Sequence, residues 1–173
     1  MRKETIGAPR RLTADAIMRI RATHWPQGVT PIAQLMVRVH RFSNLIHENV
    51  RRETAALGLA FTEFEVLVTL RSAAPPHELN PTDLYGALLI SSGGLTKVLR
   101  GLEQRKLITR ARGADGRVKP VRLTPKGRAL AERVLKNVVR SDGALIAGAL
   151  SAREIEEMTG MLRKVLGVLE AET

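Results

Sequence analysis

Between Asn80 and Leu123 the apolar residues change rhythm in an order that few folds accommodate. Asn80-Pro81 is a strong helix start, because proline suits the first turn, where its missing N–H is not needed. Leu84, Ala87 and Leu88 then give a short amphipathic helix over residues 82–89. Residues 90–93 read as a tight turn, with Ser92 capping the next helix. Leu95, Val98, Leu99 and Leu102 recur at helical steps as far as about Gln104. After Lys106 the period shortens. Residues 107–112 and 118–123 read as two strands, and the Gly113-Ala-Asp-Gly-Arg117 connection reads as a hairpin. Pro120 cannot donate to a ladder, which predicts an edge or irregular position for its strand. Helix, turn, helix and hairpin in this order spell a winged helix-turn-helix.

Helices flank that unit on both sides. Leu12, Ala16, Ile17 and Ile20 predict a short helix from Thr13, broken by Trp25-Pro26 and Thr30-Pro31. Ile32, Leu35, Met36, Val39, Phe42, Ile46 and Val50 predict a long one from Pro31 to about Leu57-Gly58. A third is expected from Thr62, capped by Thr62 with Glu65 three residues on, and ended by Ala74-Pro75-Pro76. Thr124-Pro125 opens another long helix with Leu130, Val134, Val138 and Leu145 on one face. Ser151 and Glu154 form a capping box for a last helix striped by Ile155, Met158, Leu162, Val165 and Leu169. The expected fold is mainly α with a small β-hairpin wing. A winged helix-turn-helix DNA-binding lobe spans residues 58–123. A helical dimerisation region combines 31–57 with 124–173, and residues 1–30 form an N-terminal tail and extra helix. The flanking stripes exceed what a small winged lobe can cover, which argues for a homodimer; a larger monomeric core is the competing reading.

Charge points to the partner. Eleven of the 28 Lys and Arg lie between Lys97 and Arg128, opposed within that stretch only by Glu103 and Asp115, so most of the formal +11 sits there. A concentrated positive field suits the phosphate backbone of double-stranded DNA, although a solvated basic face would look the same. Outside the buried stripe, the second helix of the pair offers Ser91, Ser92, Thr96, Lys97 and Arg100. These would face the major groove, where base edges carry a readable donor and acceptor pattern. Gly93 and Gly94 remove bulk where the helix approaches the duplex. The hairpin places Arg112, Arg117 and Lys119 on a narrow projection able to follow the backbone or enter the minor groove. Asp115 is either a turn former, a partner that holds Arg117, or a contact. Ser92 is expected to cap and to touch DNA.

Other classes are excluded or disfavoured. With no cysteine, disulfides and thiolate metal sites are ruled out. The four histidines form no HxxxH or HExxH pair, and no phosphate-binding loop, dinucleotide fingerprint or nucleophile elbow is present, so no enzyme, catalytic residue, metal site or cofactor is expected. No apolar run reaches membrane-spanning length, leaving a cytoplasmic chain as the default. The remaining rival is a sequence-independent architectural protein that uses the basic patch alone.

From Pro31 onward the chain resembles the MarR-type transcriptional regulators. The resemblance is carried by Leu57-Gly-Leu-Ala-Phe-Thr-Glu-Phe-Glu-Val-Leu67, Leu79-Asn-Pro-Thr-Asp-Leu84, Ser91-Ser-Gly-Gly-Leu-Thr-Lys97, Leu102-Glu103, Asp115-Gly-Arg117 and Leu123-Thr-Pro-Lys-Gly-Arg128. It implies a homodimeric repressor that leaves a near-palindromic operator when a small molecule binds, with residues 91–100 as the reading helix and 115–117 as the wing tip. Many members carry an Asp-Arg pair where this chain has Arg100-Gly101, which turns the arginine by about 100° around the helix and leaves open whether it meets a base or a phosphate. The extra N-terminal helix, Ala74-Pro-Pro and Ser91-Ser-Gly-Gly look closer to the PecS-like subgroup, which answers to urate. That likeness implies ligand roles for Trp25, Glu65 and Arg110, whereas Val98 stands where the subgroup has an arginine. A packing role for Trp25 competes with a ligand role. Arg38, His40, Arg41 and His47, close to apolar neighbours on the first long helix, suggest an effector that is an aromatic or otherwise lipophilic anion, bound between the dimer helices and the DNA-binding lobe.

Overall fold

A computed structural model describes residues 12–88, 92–110 and 120–172, without the side chains of Ser92, Gly93 and Glu172. The chain falls into two compact units that divide between Glu48 and Asn49.

The first unit holds α1 (Ala14–His24), a single 3₁₀ turn (Pro26–Gly28) and most of α2 (Pro31–Ala55). Thr13 starts α1 by accepting from the Ala16 N–H at 3.1 Å, and Thr30 does the same for Ala33 at the head of α2. Arg38 on α2 reaches Asp15 on α1 at 2.6 Å and donates to the Gln34 carbonyl at 3.0 Å. Among described residues up to Glu48, Met18 alone is buried; Ile32, Leu35, Met36, Phe42 and Leu45 are exposed.

The second unit begins with the end of α2, where Gly58 adopts φ 69° and the Gly58 and Leu59 N–H groups return to the Ala55 and Thr54 carbonyls. A residue with a side chain would be strained in that left-handed position. Then follow α3 (Phe61–Ser72), β1 (Glu78–Leu79), α4 (Pro81–Gly86), α5 (Ser92–Gln104), β2 (Ile108–Arg110), β3 (Val121–Leu123), α6 (Pro125–Ile146) and α7 (Ala152–Leu169). Leu67 and Leu70 of α3, Leu84 of α4, Leu102 of α5, Leu107, Ile108, Val121 and Val134 are all under 2% exposed, an aliphatic core as a chain with 3% aromatics requires. Asn49 is buried, donates to Asp142 Oδ1 at 2.7 Å and accepts from Ser141 and Arg52, which fastens the end of α2 to α6.

The winged helix-turn-helix order is present, with local corrections. The third helix starts at Phe61: Glu63 accepts from the Ala60 N–H at 2.9 Å, so the helix begins ahead of the Thr62 and Glu65 pair. The short helix stops at Gly86, and Ala87 is exposed while Leu84 and Leu88 are buried. Ser92 is the first described residue of α5, and its expected side-chain cap lies outside what is described. The strand following Pro120 is not at an edge. β1 pairs with its other side, giving the antiparallel order β1-β3-β2 with Ile108 opposite Leu123 and Leu79 opposite Val121. Pro120 lies just outside the paired residues, so it costs the ladder no donor. The Thr124 and Ser151 starts stand as expected: Thr124 Oγ1 accepts from Gly127 N–H at 3.0 Å, and Glu154 Oε2 from Ser151 N–H at 2.8 Å. On α6, Val134 and Val138 are buried, Leu130 is half-buried and Leu145 is exposed; the whole of α7 is exposed in the single chain.

Candidate nucleic-acid interface

Helix α5 is two-faced because its apolar residues recur at helical steps. Leu95, Leu99 and Leu102 are 4%, 3% and 0% exposed, and Val98 is half-buried. Thr96, Lys97 and Arg100 lie on the opposite side, all exposed, and Gly94 is exposed at the head of the helix. Residues three and four apart on a helix are neighbours, so these three side chains form one polar surface. Ser92 belongs to α5. Ser91, Arg112, Asp115, Arg117 and Lys119, expected to touch DNA, lie outside the described residues.

The structure sorts the cations of the basic stretch into two groups. Arg105 pairs with Glu63 at 2.9 Å, Arg110 with Glu103 at 3.5 Å, Arg122 with Glu78 at 2.7 Å and Arg128 with Glu132 at 3.1 Å. Three of those carboxylates come from outside the stretch, which the local charge count overlooked. Arg71 and Arg128 together hold the Glu132 carboxyl below its ordinary range by hydrogen bonding. Lys97, Arg100 and Lys106 make no ion pair among the described residues. A cation already held by a carboxylate is a poorer phosphate ligand, so the unpaired positive charge on α5 concentrates at Lys97 and Arg100.

The end of α5 is held by hydrogen bonds on both of its sides. Lys106 takes φ 58°, and the Lys106 and Leu107 N–H groups return to the Glu103 and Leu102 carbonyls at 2.9 and 3.0 Å, the arrangement that glycine serves after α2. The next carbonyls are taken by the first turn of α6. Leu107 O accepts from the Thr124 N–H at 3.1 Å, Lys106 O from Thr124 Oγ1 at 2.9 Å and Arg105 O from Lys126 Nζ at 3.2 Å. Gly127 packs so closely that a Cβ on it would fall 1.9 Å from the Leu107 carbonyl oxygen.

The residues expected to bind an effector separate between the units. In the first, Trp25 is 60% exposed with its ring lying over Gly28, Arg38 is engaged with Asp15, and His40 is exposed. In the second, Glu65 is half-buried on α3, and Arg110 borders a cavity of about 320 Å³ lined also by Pro81, Thr82, Tyr85, Leu95, Thr96 and Leu99. Sequence reasoning missed this cavity, because its walls come from α4, α5 and β2 and meet only in the fold. No group of three or more His, Asp or Glu suited to a metal occurs among the described residues, and no described helix is long and apolar enough to cross a membrane.

No family model matches the chain. It is 33% identical over 131 residues to the HTH-type transcriptional regulator PecS of Dickeya dadantii, covering 75% of this chain and 76% of that protein. It is 31% identical over 139 residues to the HTH-type transcriptional repressor Rv2887 of Mycobacterium tuberculosis, covering 80% and 97%. Among solved structures, apo MarR from E. coli superposes with a TM-score of 0.66 at 26% identity, over 80% of this chain and 98% of that one. The MarR family regulator AbsC from Streptomyces coelicolor gives 0.70 at 22% identity, over 83% and 97%, which speaks for the fold alone.

Proposed function

Since the chain belongs to the MarR family of helix-turn-helix transcriptional regulators, we propose that it is a homodimeric, ligand-responsive repressor of a near-palindromic operator. The observation that carries the DNA reading is the division of α5. One face is buried, and the other presents Thr96, Lys97 and Arg100 with both cations unpaired among the described residues. Lys97, nearer the helix start, serves a phosphate. Arg100 reads a base edge or grips a second phosphate, and the wing residues Arg112, Arg117 and Lys119 extend the grip along the duplex. Residues 58–123 act as the DNA-binding lobe in this reading, residues 31–57 and 124–173 as the dimerisation region, and residues 1–30 as its N-terminal extension.

Competition binding at fixed salt tests it. The protein is expected to hold DNA from upstream of its own gene after excess random duplex has been added. Lys97→Ala should weaken binding to every sequence and lower the slope of log K against log salt by about one. Arg100→Ala should cost roughly 1–3 kcal/mol and relax base preference if it reads an edge. Equal retention of scrambled duplex by the wild type would instead favour the architectural alternative.

The dimer is supported by α7. Ile155, Met158, Leu162, Val165 and Leu169 recur along one side and are 36–58% exposed in the single chain. Apolar residues at such regular spacing are the signature of a helix packed on a partner. A second copy related by a two-fold axis would cover them and place two reading helices about one duplex turn apart.

For the effector, the cavity beside Arg110 is the best-supported position. Its volume sits at the lower end of the roughly 300–1,000 Å³ typical of small-molecule pockets. Leu95, Leu99 and Tyr85 offer apolar contact, and Arg110 offers a guanidinium that an amphipathic aromatic anion would share with, or take from, Glu103 at 3.5 Å. Thr96 belongs both to this cavity and to the reading face, so a bound anion would compete with phosphate and favour the DNA-free form. A thermal-shift screen of aromatic carboxylates and purines is expected to raise the melting temperature, and Arg110→Gln should abolish the rise. No rise with any of them would remove this part of the proposal.

A further inference from the structure

The junction between α5 and α6 does more than close a turn. A helix ends with carbonyls that need donors from elsewhere. At the end of α5 three consecutive carbonyls, those of Arg105, Lys106 and Leu107, are all satisfied from residues 124–126. Thr124 contributes both its N–H and its hydroxyl, while its own oxygen caps α6 by accepting from Gly127. The same hydroxyl thus starts one helix and holds the end of the other. Gly127 leaves no room for the two backbones to slide, since even a methyl group would overlap the Leu107 carbonyl. On the α3 side, Glu63 fixes Arg105 and the Ala60 N–H at once.

We propose that Thr124, with Lys126 and Gly127, locks the first turn of α6 to the end of the reading helix so that both move as one body, and that the placement of α5 on DNA is therefore set from α6. This rests on the reading of α5 as the DNA-reading helix. Thr124 is a positioning residue here: it acts through the carbonyls of residues 106 and 107 and touches no base. Close-packed joints of this kind do not deform continuously, so a movement of α6 would carry the end of α5 with it.

Because the chain lacks cysteine, Arg100→Cys and Lys136→Cys introduce a unique label pair on α5 and α6. Spin–spin distances are measured without DNA, with the doubly labelled chain diluted into unlabelled protein. Wild type and Thr124→Ser are expected to give one narrow distribution, and Thr124→Val a broad one. Unlabelled proteins are then compared on operators whose half-sites are one base pair further apart. The insertion should cost wild type and Thr124→Ser about tenfold in affinity and Thr124→Val only about twofold, because a loose joint lets each reading helix adjust on its own. Should Thr124→Val fold poorly, Lys126→Met removes only the contact to the Arg105 carbonyl and should move both readouts the same way by less. An unchanged distance width in the variants overturns the proposal, as does a broadened width with an unchanged spacing penalty; merely lowered melting temperatures with both readouts intact would mark Thr124 as structural. If wild type prefers no duplex, the repressor reading fails on that assay, and the joint stands or falls on the distance widths alone.

Discussion

Gly127→Ala is expected to lower the unfolding free energy by about 3 kcal/mol, read as a shift in denaturant midpoint at constant slope. The sign runs against helix propensity, since alanine is favoured over glycine by about 1 kcal/mol in an open helical position. Here the added methyl would overlap the Leu107 carbonyl oxygen at 1.9 Å and press Leu123 Cδ2 at 3.2 Å. Backbone atoms cannot rotate away as a side chain can, so α6 must back off from the end of α5 and give up the Thr124 contacts. Gly143 lies on the same helix, and a Cβ there meets nothing within 4 Å. Gly143→Ala should therefore be neutral or mildly stabilising. Equal effects of the two substitutions would show that the junction is looser than described.

Leu162→Glu should produce the largest functional loss. Leu162 is 40% exposed in the middle of the α7 stripe, with Met158 one turn before and Leu166 one turn after. A carboxylate at the centre of an apolar interface must be desolvated without a partner, a cost of several kcal/mol that the dimer would avoid by dissociating. Light scattering at micromolar concentration should then report a monomer. Operator affinity should fall by about 10²–10⁴-fold, because the second half-site is no longer engaged by a tethered lobe. The side chain lies on an exposed helix, so the isolated fold should keep its circular dichroism. A dimer that survives Leu162→Glu would show that α7 is not the interface.

What the sequence made legible was decided within a few residues. Thr124-Pro125 and the Ser151 and Glu154 pair act across three positions, and both helices start where those residues say. The buried stripe of α5 is equally local, and it left Thr96, Lys97 and Arg100 outside by simple periodicity. The start of α3 was misplaced because Ala60 has no capping oxygen of its own; Glu63 reaches back to its N–H, a signal indistinguishable from the Thr62 and Glu65 pattern two residues on. β1 has two residues and no rhythm, and it exists only because β3 has a free side for it. The partners of Arg105 and Arg122 lie 42 and 44 residues away, beyond any local pattern. For that reason the basic stretch looked like a uniform DNA-binding surface, when several of its arginines brace the lobe.

That segregation has an evolutionary corollary. Among the described residues, Lys97 and Arg100 can be exchanged without disturbing an ion pair that holds the lobe together, whereas Arg105 and Arg122 cannot. A lineage could retarget such a protein to new promoters by drift at two or three outward positions of one helix, while its architecture stayed under separate selection. The same partition marks where an engineer would randomise a library and where to leave the scaffold alone.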